Sequence, residues 1–304
     1  MAAMGLLASG RVNAYILLGD PSYLAASVSA YYPFVDRIYV SYDRTNKSWT
    51  GTPLPVEQCL RLIEGLDKQG KCVLLPGDFA RTAETPFENE ALQRSVAMNA
   101  ASADADWVLQ LDTDEVMLAP RVFFEKLDRA DAAGASGLDF PARWLYSRVK
   151  KGRYLAGVSR FWRPEASYPG PLAVRVGARF VHARQIEGEL YRVDFSAEST
   201  DPWRPRDARV DDVISPNEGV AHFSWVRHPE TIQRKFGWSG HTEQMRAPKV
   251  YRRWVWRTRH PYLTTLLAPS LRTVSGRYGI CRIPEPPGGE PPRLVFGADS
   301  QTAS

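Results

Sequence analysis

Short apolar runs alternate with helical patterns along the first half of the chain. Runs rich in β-branched and aromatic residues predict strands over residues 12–18, 35–42, 71–75 and 107–111. Apolar positions at helical spacing predict helices over residues 23–31, 56–69 and 86–102. Because strands and helices alternate, the predicted fold class is α/β, with a mostly parallel, Rossmann-like sheet flanked by helices. Such sheets bind ligands at the carboxyl ends of their strands.

The helix before the fourth strand has a clear start signal in the segment Thr85-Pro86-Phe87-Glu88. Thr85 suits the N-cap, Pro86 suits the first helical position, and Glu88 stands where a capping box needs an acidic side chain. These residues predict that the helix begins at Pro86.

After residue 120 the pattern is mixed. Helices are predicted over residues 121–130 and 230–245, strands over residues 137–140, 160–163, 178–182 and 221–225, and a loop over residues 201–216. Residues 246–283 are basic and aromatic, and the segment that follows is rich in Pro and Gly. The predicted organisation is an N-terminal tail (1–10), one main domain (11–245), a C-terminal helical extension (246–283) and a disordered tail (284–304).

Composition narrows the classes of function. Among 304 residues, 39 are Lys or Arg and 34 are Asp or Glu, for a net charge of +5. A mildly basic chain suits acidic small molecules or an anionic membrane surface, and nucleic acid is not expected as a partner. The three cysteines form no CxxC motif, which favours a reducing, cytoplasmic location. No apolar run approaches the ~20 residues of a membrane-spanning helix.

Three acidic residues follow the predicted fourth strand directly: Asp112, Asp114 and Glu115. Like charges this close raise one another's pKa unless a cation neutralises them. Asp112 and Asp114 are two residues apart, so an extended chain points both side chains to one side. Two hard oxygen ligands at the end of a strand suit Mg²⁺ or Mn²⁺.

The segment ADWVLQLDTDEVM around these acids resembles the DxD region of GT-A-fold glycosyltransferases, especially the family 2-like group. Four further segments are similar to parts of that fold, and they read VDRIYVSYDRT, LPGDF, SRFWRPEASY and AHFSWVRHPETIQRKFGWSGHTE. The resemblance is strongest over residues 12–118 and patchy to about residue 245. It implies a GT-A-like sheet and a metal-dependent transfer of sugar from a nucleotide-diphosphate sugar donor to a hydroxyl of a glycan or lipid-linked acceptor.

The resemblance also implies roles for individual residues. Asp112 and Asp114 would bind Mn²⁺ or Mg²⁺ and the donor diphosphate, with His222 as the third metal ligand. Asp43 and Asp78, after two other strands, would face the nucleobase or ribose. Lys235, on the last predicted helix, would lie near the leaving diphosphate. The loop after Tyr42 lacks the second Asp of the family's usual D-x-S-x-D-x-T pattern.

An inverting reaction also needs a carboxylate base, and in the related enzymes this base lies well after the DxD. Of the acidic residues between 187 and 218, Glu187 is favoured, because it follows the predicted strand that ends at His182. Glu187 would lie near the acceptor-binding cleft only if the strand that ends at His182 joins the main sheet.

Two other functions stay open. A nucleotidyltransferase would use a related fold, but it should carry a Gly-rich, basic loop after the first strand, where the chain reads Leu18-Gly19-Asp20-Pro21. A non-catalytic carbohydrate-binding protein would keep the sheet and lose nucleotide binding.

Residues 247–273 interleave basic residues with Trp, Tyr and Leu. This pattern is compatible with peripheral contact with an anionic membrane, on its inner face. The alternative is docking against the main domain with the arginines facing water. Pro261 would break any helix in this segment.

Overall fold

A computed structural model describes residues 10–159, 162–182, 184–238, 248–267 and 277–284 of the protein. The fold is mixed α/β, with a large, mostly parallel sheet flanked by helices and a second, smaller sheet beside it.

The strands of the described part are, in chain order, β1 Val12–Leu17, β2 Arg37–Asp43, β3 Cys72–Gly77, β4 Trp107–Gln110, β5 Glu115–Met117, β6 Gly137–Asp139, β7 Ala142–Lys150, β8 Arg153–Val158, β9 Ala173–Arg175, β10 Phe180–His182, β11 Gln185–Ile186, β12 Leu190–Asp194, β13 Asp212–Val213, β14 Val220–His222 and β15 Arg277–Arg282. The helices are α1 Leu24–Tyr31, α2 Val56–Leu66, α3 Pro86–Ser102, α4 Pro120–Ala132, α5 Pro229–Trp238, α6 Pro248–Arg259 and α7 Pro261–Leu267.

The large sheet has the strand order β3-β2-β1-β4-β9-β6-β12-β13. Strand β9 is antiparallel to both of its neighbours, and the other pairs are parallel. From β1 the chain builds the sheet first towards β3 and then, through β4, towards the opposite edge. Such a reversal of strand order opens a ligand-binding crevice outside the carboxyl ends of the strands.

Helix α3 confirms the start predicted from the sequence. It begins at Pro86, and the Thr85 side chain accepts a hydrogen bond from the Glu88 backbone while the Glu88 carboxylate accepts one from the Thr85 backbone. The helix packs on β1 and β2 and ends just before β4. It therefore carries its polar residues Gln93 and Arg94, both buried, towards the strand ends.

The core of the large sheet follows from its apolar strands. Ile16, Ile38 and Leu109, on β1, β2 and β4, are all fully buried. Phe123 and Phe124 of α4 belong to the same core cluster. Because both faces of these strands are covered, their sequences read as continuous apolar runs.

The second sheet has the order β15-β8-β7-β14-β5 and differs most from the sequence prediction. No strand is predicted over residues 142–158, yet β7 and β8 form a hairpin there, with Gly152 at φ 64° in the turn. The strand predicted over residues 160–163 lies partly outside the described residues, and Trp162 and Arg163 are not in a strand. Trp162 has a φ of 60°, which is incompatible with an extended chain.

The described part of the C-terminal extension packs on this second sheet. Strand β15 pairs with β8, and the buried Trp254 of α6 donates its Nε1–H to the carbonyl of Tyr146, 2.9 Å away. Beyond α5, the rest of the helix predicted to residue 245 lies outside the described residues, as do residues 285–304 of the predicted tail. Among the described helices, none is both long and apolar enough to cross a membrane.

Candidate functional site

A cavity of about 380 Å³ lies at the carboxyl ends of β1, β2 and β4, a volume within the usual range of small-molecule sites. The second sheet and α5 close its far side. The lining residues that matter below are Asp20, Asp43, Trp49, Gln93, Arg94, Asp112, Asp114, Trp144, Arg184, His222, Ser224, Arg227 and Lys235.

Asp112 lies directly beyond β4 between two arginines. Its Oδ1 accepts a hydrogen bond from Arg94 Nη2 at 3.0 Å, and its Oδ2 lies 3.5 Å from Arg184 Nη1. Burial raises the pKa of the Asp112 carboxyl, but the fields of Arg94 and Arg184 outweigh burial, so this pKa is lowered. The Asp112 side chain is still 34% exposed, so its carboxylate can meet a ligand.

Asp114 is almost fully buried and faces three basic groups. Its Oδ2 lies 2.9 Å from Arg227 Nη2 and 3.1 Å from Lys235 Nζ, and its Oδ1 lies 3.4 Å from His222 Nε2. Burial raises the pKa of the Asp114 carboxyl, but Lys235, Arg227 and His222 together hold it well below its usual value of 3.8. Asp114 is therefore ionised at neutral pH.

The cations around Asp114 are themselves tied to other elements. Arg227 Nε donates to Asp20, which follows β1, and Arg227 thereby links the ends of β1 and β4. Lys235 Nζ also lies 2.9 Å from Ser224 Oγ. Burial, and then the neighbouring Arg227, lower the pKa of the Lys235 ammonium. Arg227 and Lys235 are thus held at the strand ends by ion pairs with Asp20 and Asp114.

Glu115 holds Arg184 and the backbone of Asp112 in position. It is fully buried, and both of its carboxylate oxygens lie 2.9 Å from Arg184 Nη1. Its Oε2 also accepts the backbone N–H of Asp112 at 3.0 Å. Glu115 therefore fixes both the turn after β4 and the arginine beside Asp112.

The predicted metal ligands are only partly brought together. Asp114 and His222 face each other, whereas the Asp112 carboxylate is directed to Arg94 and Arg184. Within the described ranges, no group of three or more His, Cys, Asp or Glu side chains is arranged to hold a metal ion. As they stand, these residues do not fit a three-ligand metal site, and binding of Mn²⁺ or Mg²⁺ stays a prediction.

Asp43 lies at the cavity wall but acts as a brace between two loops. Its Oδ1 accepts from the backbone and hydroxyl of Thr45, and its Oδ2 accepts from the backbone N–H groups of Phe79 and Ala80. Burial raises the pKa of Asp43, but these hydrogen bonds outweigh it and lower that pKa. Close by, Trp49 Nε1 donates to Gln93 Oε1 at 2.7 Å, which places an aromatic ring on the same side of the cavity.

Asp78 and Glu187 do not line this cavity. Asp78 is exposed on the loop after β3. Glu187 is 55% exposed and pairs with Arg179 at 3.3 Å. The placement of Glu187 at the cleft required the strand ending at His182 to join the sheet. Instead, β10 pairs with β11 in a separate two-stranded sheet.

Sequence reasoning missed Asp20, which follows β1, and three groups that reach the cavity from far along the chain: Trp144, Arg184 and Arg227. The signal for Arg227 was weak but present, because it stands three residues after Ser224, in the segment that resembles the late part of the GT-A fold. Trp144 and Arg184 follow no motif, and only the pairing of distant strands brings them to the site.

No protein-family model matches the sequence, and no curated protein matches it significantly. Among solved structures, the chain is weakly similar to a mannose-6-phosphate isomerase from Helicobacter pylori, with 13% identity over 47% of this chain and 52% of that one and a TM-score of 0.28. A mycobacterial protein matches at 11% identity over 47% of this chain and 42% of its own, with a TM-score of 0.26. The chain thus spans about half the length of the first protein and less of the second. Neither likeness bears on function.

Proposed function

We propose that the protein is a glycosyltransferase of GT-A-like fold that uses a nucleotide-diphosphate sugar. The observation that carries the proposal is the pair of cations, Arg227 and Lys235, held at Asp114 in a cavity at the carboxyl ends of β1 and β4. A reversal of strand order with cations at the strand ends suits a ligand that carries a diphosphate.

The cavity has two chemically different sides. On the β2 side, Trp49 and the braced loop after Asp43 suit a nucleobase and ribose, since an aromatic ring can stack on a base. On the side of the second sheet, Trp144 is 38% exposed and its ring stacks on that of His222, with centroids 5.4 Å apart. This side suits the transferred sugar and its acceptor, and the diphosphate would lie against Arg227 and Lys235.

In the proposed reaction, the acceptor hydroxyl attacks the anomeric carbon, the bond from that carbon to the diphosphate oxygen breaks, and the hydroxyl proton passes to water. Arg227 and Lys235 stabilise the negative charge that develops on the leaving diphosphate. Asp114 keeps both cations in position before the donor arrives, so little reorganisation is needed during the reaction.

A donor screen tests the proposal. The full-length protein is incubated with a panel of nucleotide-diphosphate sugars and mixed acceptors, and released nucleoside diphosphate is measured. At least one donor should be consumed. Failure to bind any nucleotide while binding glycans would favour a carbohydrate-binding protein. Release of pyrophosphate from a nucleoside triphosphate and a sugar phosphate would favour a nucleotidyltransferase.

A further inference from the structure

Helix α7 turns its apolar residues towards solvent. The exposed fractions of its large apolar side chains are 58% for Tyr262, 47% for Leu263, 74% for Leu266 and 47% for Leu267. The polar Thr264 is fully buried instead, and its hydroxyl donates to the carbonyl of His260 at 2.9 Å. A surface helix of a globular protein normally buries its apolar side chains and exposes its polar ones, and α7 shows the reverse pattern. Grouped apolar side chains of this kind mark a contact surface.

Helix α6, which leads directly into α7, exposes a basic side. At 3.6 residues per turn, Lys249, Arg252, Arg253 and Arg259 fall within roughly 120° of one another around the helix. All four are exposed. The buried Trp254 and Thr258 lie on the opposite side, against the second sheet. The half-buried Trp256 shares the basic side, and Trp is enriched where membranes meet water.

The charge of this segment is one-sided. Residues 248–267 contain one Lys, four Arg and no acidic residue, so their charge alone equals the +5 of the whole chain. Basic and acidic residues therefore balance over the rest of the sequence. A partner that complements this segment must combine negative charge with an apolar phase.

We infer that α6 and α7 together form a membrane-contact surface for a bilayer that carries anionic lipids. The apolar residues of α7 enter the region between headgroups and acyl chains, and the basic side of α6 contacts anionic headgroups. Each basic residue near an anionic bilayer strengthens binding roughly fivefold, and salt weakens this contribution. The inference goes beyond the proposed chemistry, because it concerns where the protein acts rather than what it transfers.

Flotation of the full-length protein tests this surface. The vesicles are phosphatidylcholine alone or phosphatidylcholine mixed with phosphatidylglycerol, at low and at physiological salt. The wild-type protein should float with the mixed vesicles only, and less at higher salt. Leu263→Glu/Leu266→Glu and Arg252→Glu/Arg253→Glu should each reduce the bound fraction by roughly tenfold or more. Trp203→Glu, at a side chain that is 68% exposed elsewhere, is the matched control and should float like wild type.

Three results would overturn the inference. The first is that the wild-type protein does not float with anionic vesicles, and the second is that both double variants float as well as the wild type. The third is that the wild-type protein binds no vesicles but sediments as a dimer, which Leu263→Glu/Leu266→Glu converts to a monomer; the surface would then join two copies of the chain. Nucleotide binding is measured on the same samples, so loss of the proposed function and loss of membrane contact are told apart.

Discussion

Lys235 on α5 lies 3.1 Å from Asp114, which precedes it by 121 residues and stands in the turn between β4 and β5. The contact brings the late part of the chain to the ends of the parallel strands. Under the proposed function, the Lys235 ammonium would contact the donor diphosphate, and this relationship leads to the first two predictions.

Replacing Lys235 should weaken donor binding. Lys235→Ala removes a charge-assisted hydrogen bond to the diphosphate, so nucleoside-diphosphate affinity is expected to fall roughly 10- to 100-fold. Arg234→Ala is the matched control, because Arg234 is the preceding residue on the same helix but is exposed. Calorimetry with the nucleoside diphosphate that the donor screen selects provides the measurement. Equal affinity in both variants would remove Lys235 from the binding site.

Asp114→Asn should lower stability at neutral pH, and by a smaller amount in acid. At pH 7, the buried Arg227 and the partly buried Lys235 lose their carboxylate partner, and the expected loss is about 3–5 kcal/mol in the free energy of unfolding. Because the pKa of Asp114 is lowered on folding, its contribution is complete above the unfolded value of 3.8 and is lost as the pH falls through the folded pKa.

Urea unfolding of wild type and Asp114→Asn at pH 7 and near pH 3 checks this expectation. The difference between the two proteins should shrink at the lower pH. Asp207→Asn, at an exposed carboxylate, should match wild type at both values. A difference that is unchanged in acid would contradict the assignment of the low pKa to Asp114.

The metal prediction rests on Asp112 and Asp114, and Asp112 has the more exposed carboxylate of the pair. Mn²⁺ is expected to raise nucleotide affinity in the wild-type protein and to have no such effect in Asp112→Asn, because one carboxylate leaves too few ligands. Calorimetry in Mn²⁺ and in EDTA measures both. Equal wild-type affinity in the two buffers would mean that Arg227 and Lys235, and no metal ion, neutralise the charge of the diphosphate.

Trp144 should serve the sugar side of the cavity. Trp144→Ala is expected to raise the KM for the acceptor roughly tenfold, since an aromatic anchor in a pocket contributes much of the contact energy. Nucleotide affinity should stay unchanged, and Trp144→Phe should restore part of the loss. Trp203→Ala, outside the cavity, is the control. A change in nucleotide affinity without a change in the KM for the acceptor would show that Trp144 contacts the nucleotide and not the acceptor.

The variant Glu187→Gln tests whether Glu187 is the catalytic base predicted from the sequence or an exposed residue outside the site, as its position in the structure indicates. A general base contributes about 10²-fold or more, so a base at this position would show as a loss of turnover of that size. Because Glu187 is exposed, pairs with Arg179 and lies outside the cavity lining, turnover is expected to stay near wild type. A loss of about 10²-fold with intact nucleotide affinity would restore Glu187 to the catalytic role.

Local sequence was sufficient for the first half of the fold. The apolar runs of β1, β2 and β4 and the capping box of Thr85 and Glu88 depend on residues within a few positions of one another, so the chain's own pattern reveals them. The same reasoning found Asp112 and Asp114, because a strand end followed by carboxylates is a local pattern.

Tertiary structure alone decided what those carboxylates contact. Arg227 meets Asp114 across 113 residues, and Arg184 meets Glu115 across 69. Tertiary structure also decided that β10 pairs with β11 and not with the main sheet, so Glu187 lies outside the cavity. Contacts of this kind depend on which distant segments the folded chain brings together, and periodicity within one segment carries no information about its partner. The acidic motif could therefore be read from the sequence, whereas the cations that face it could be read only from the fold.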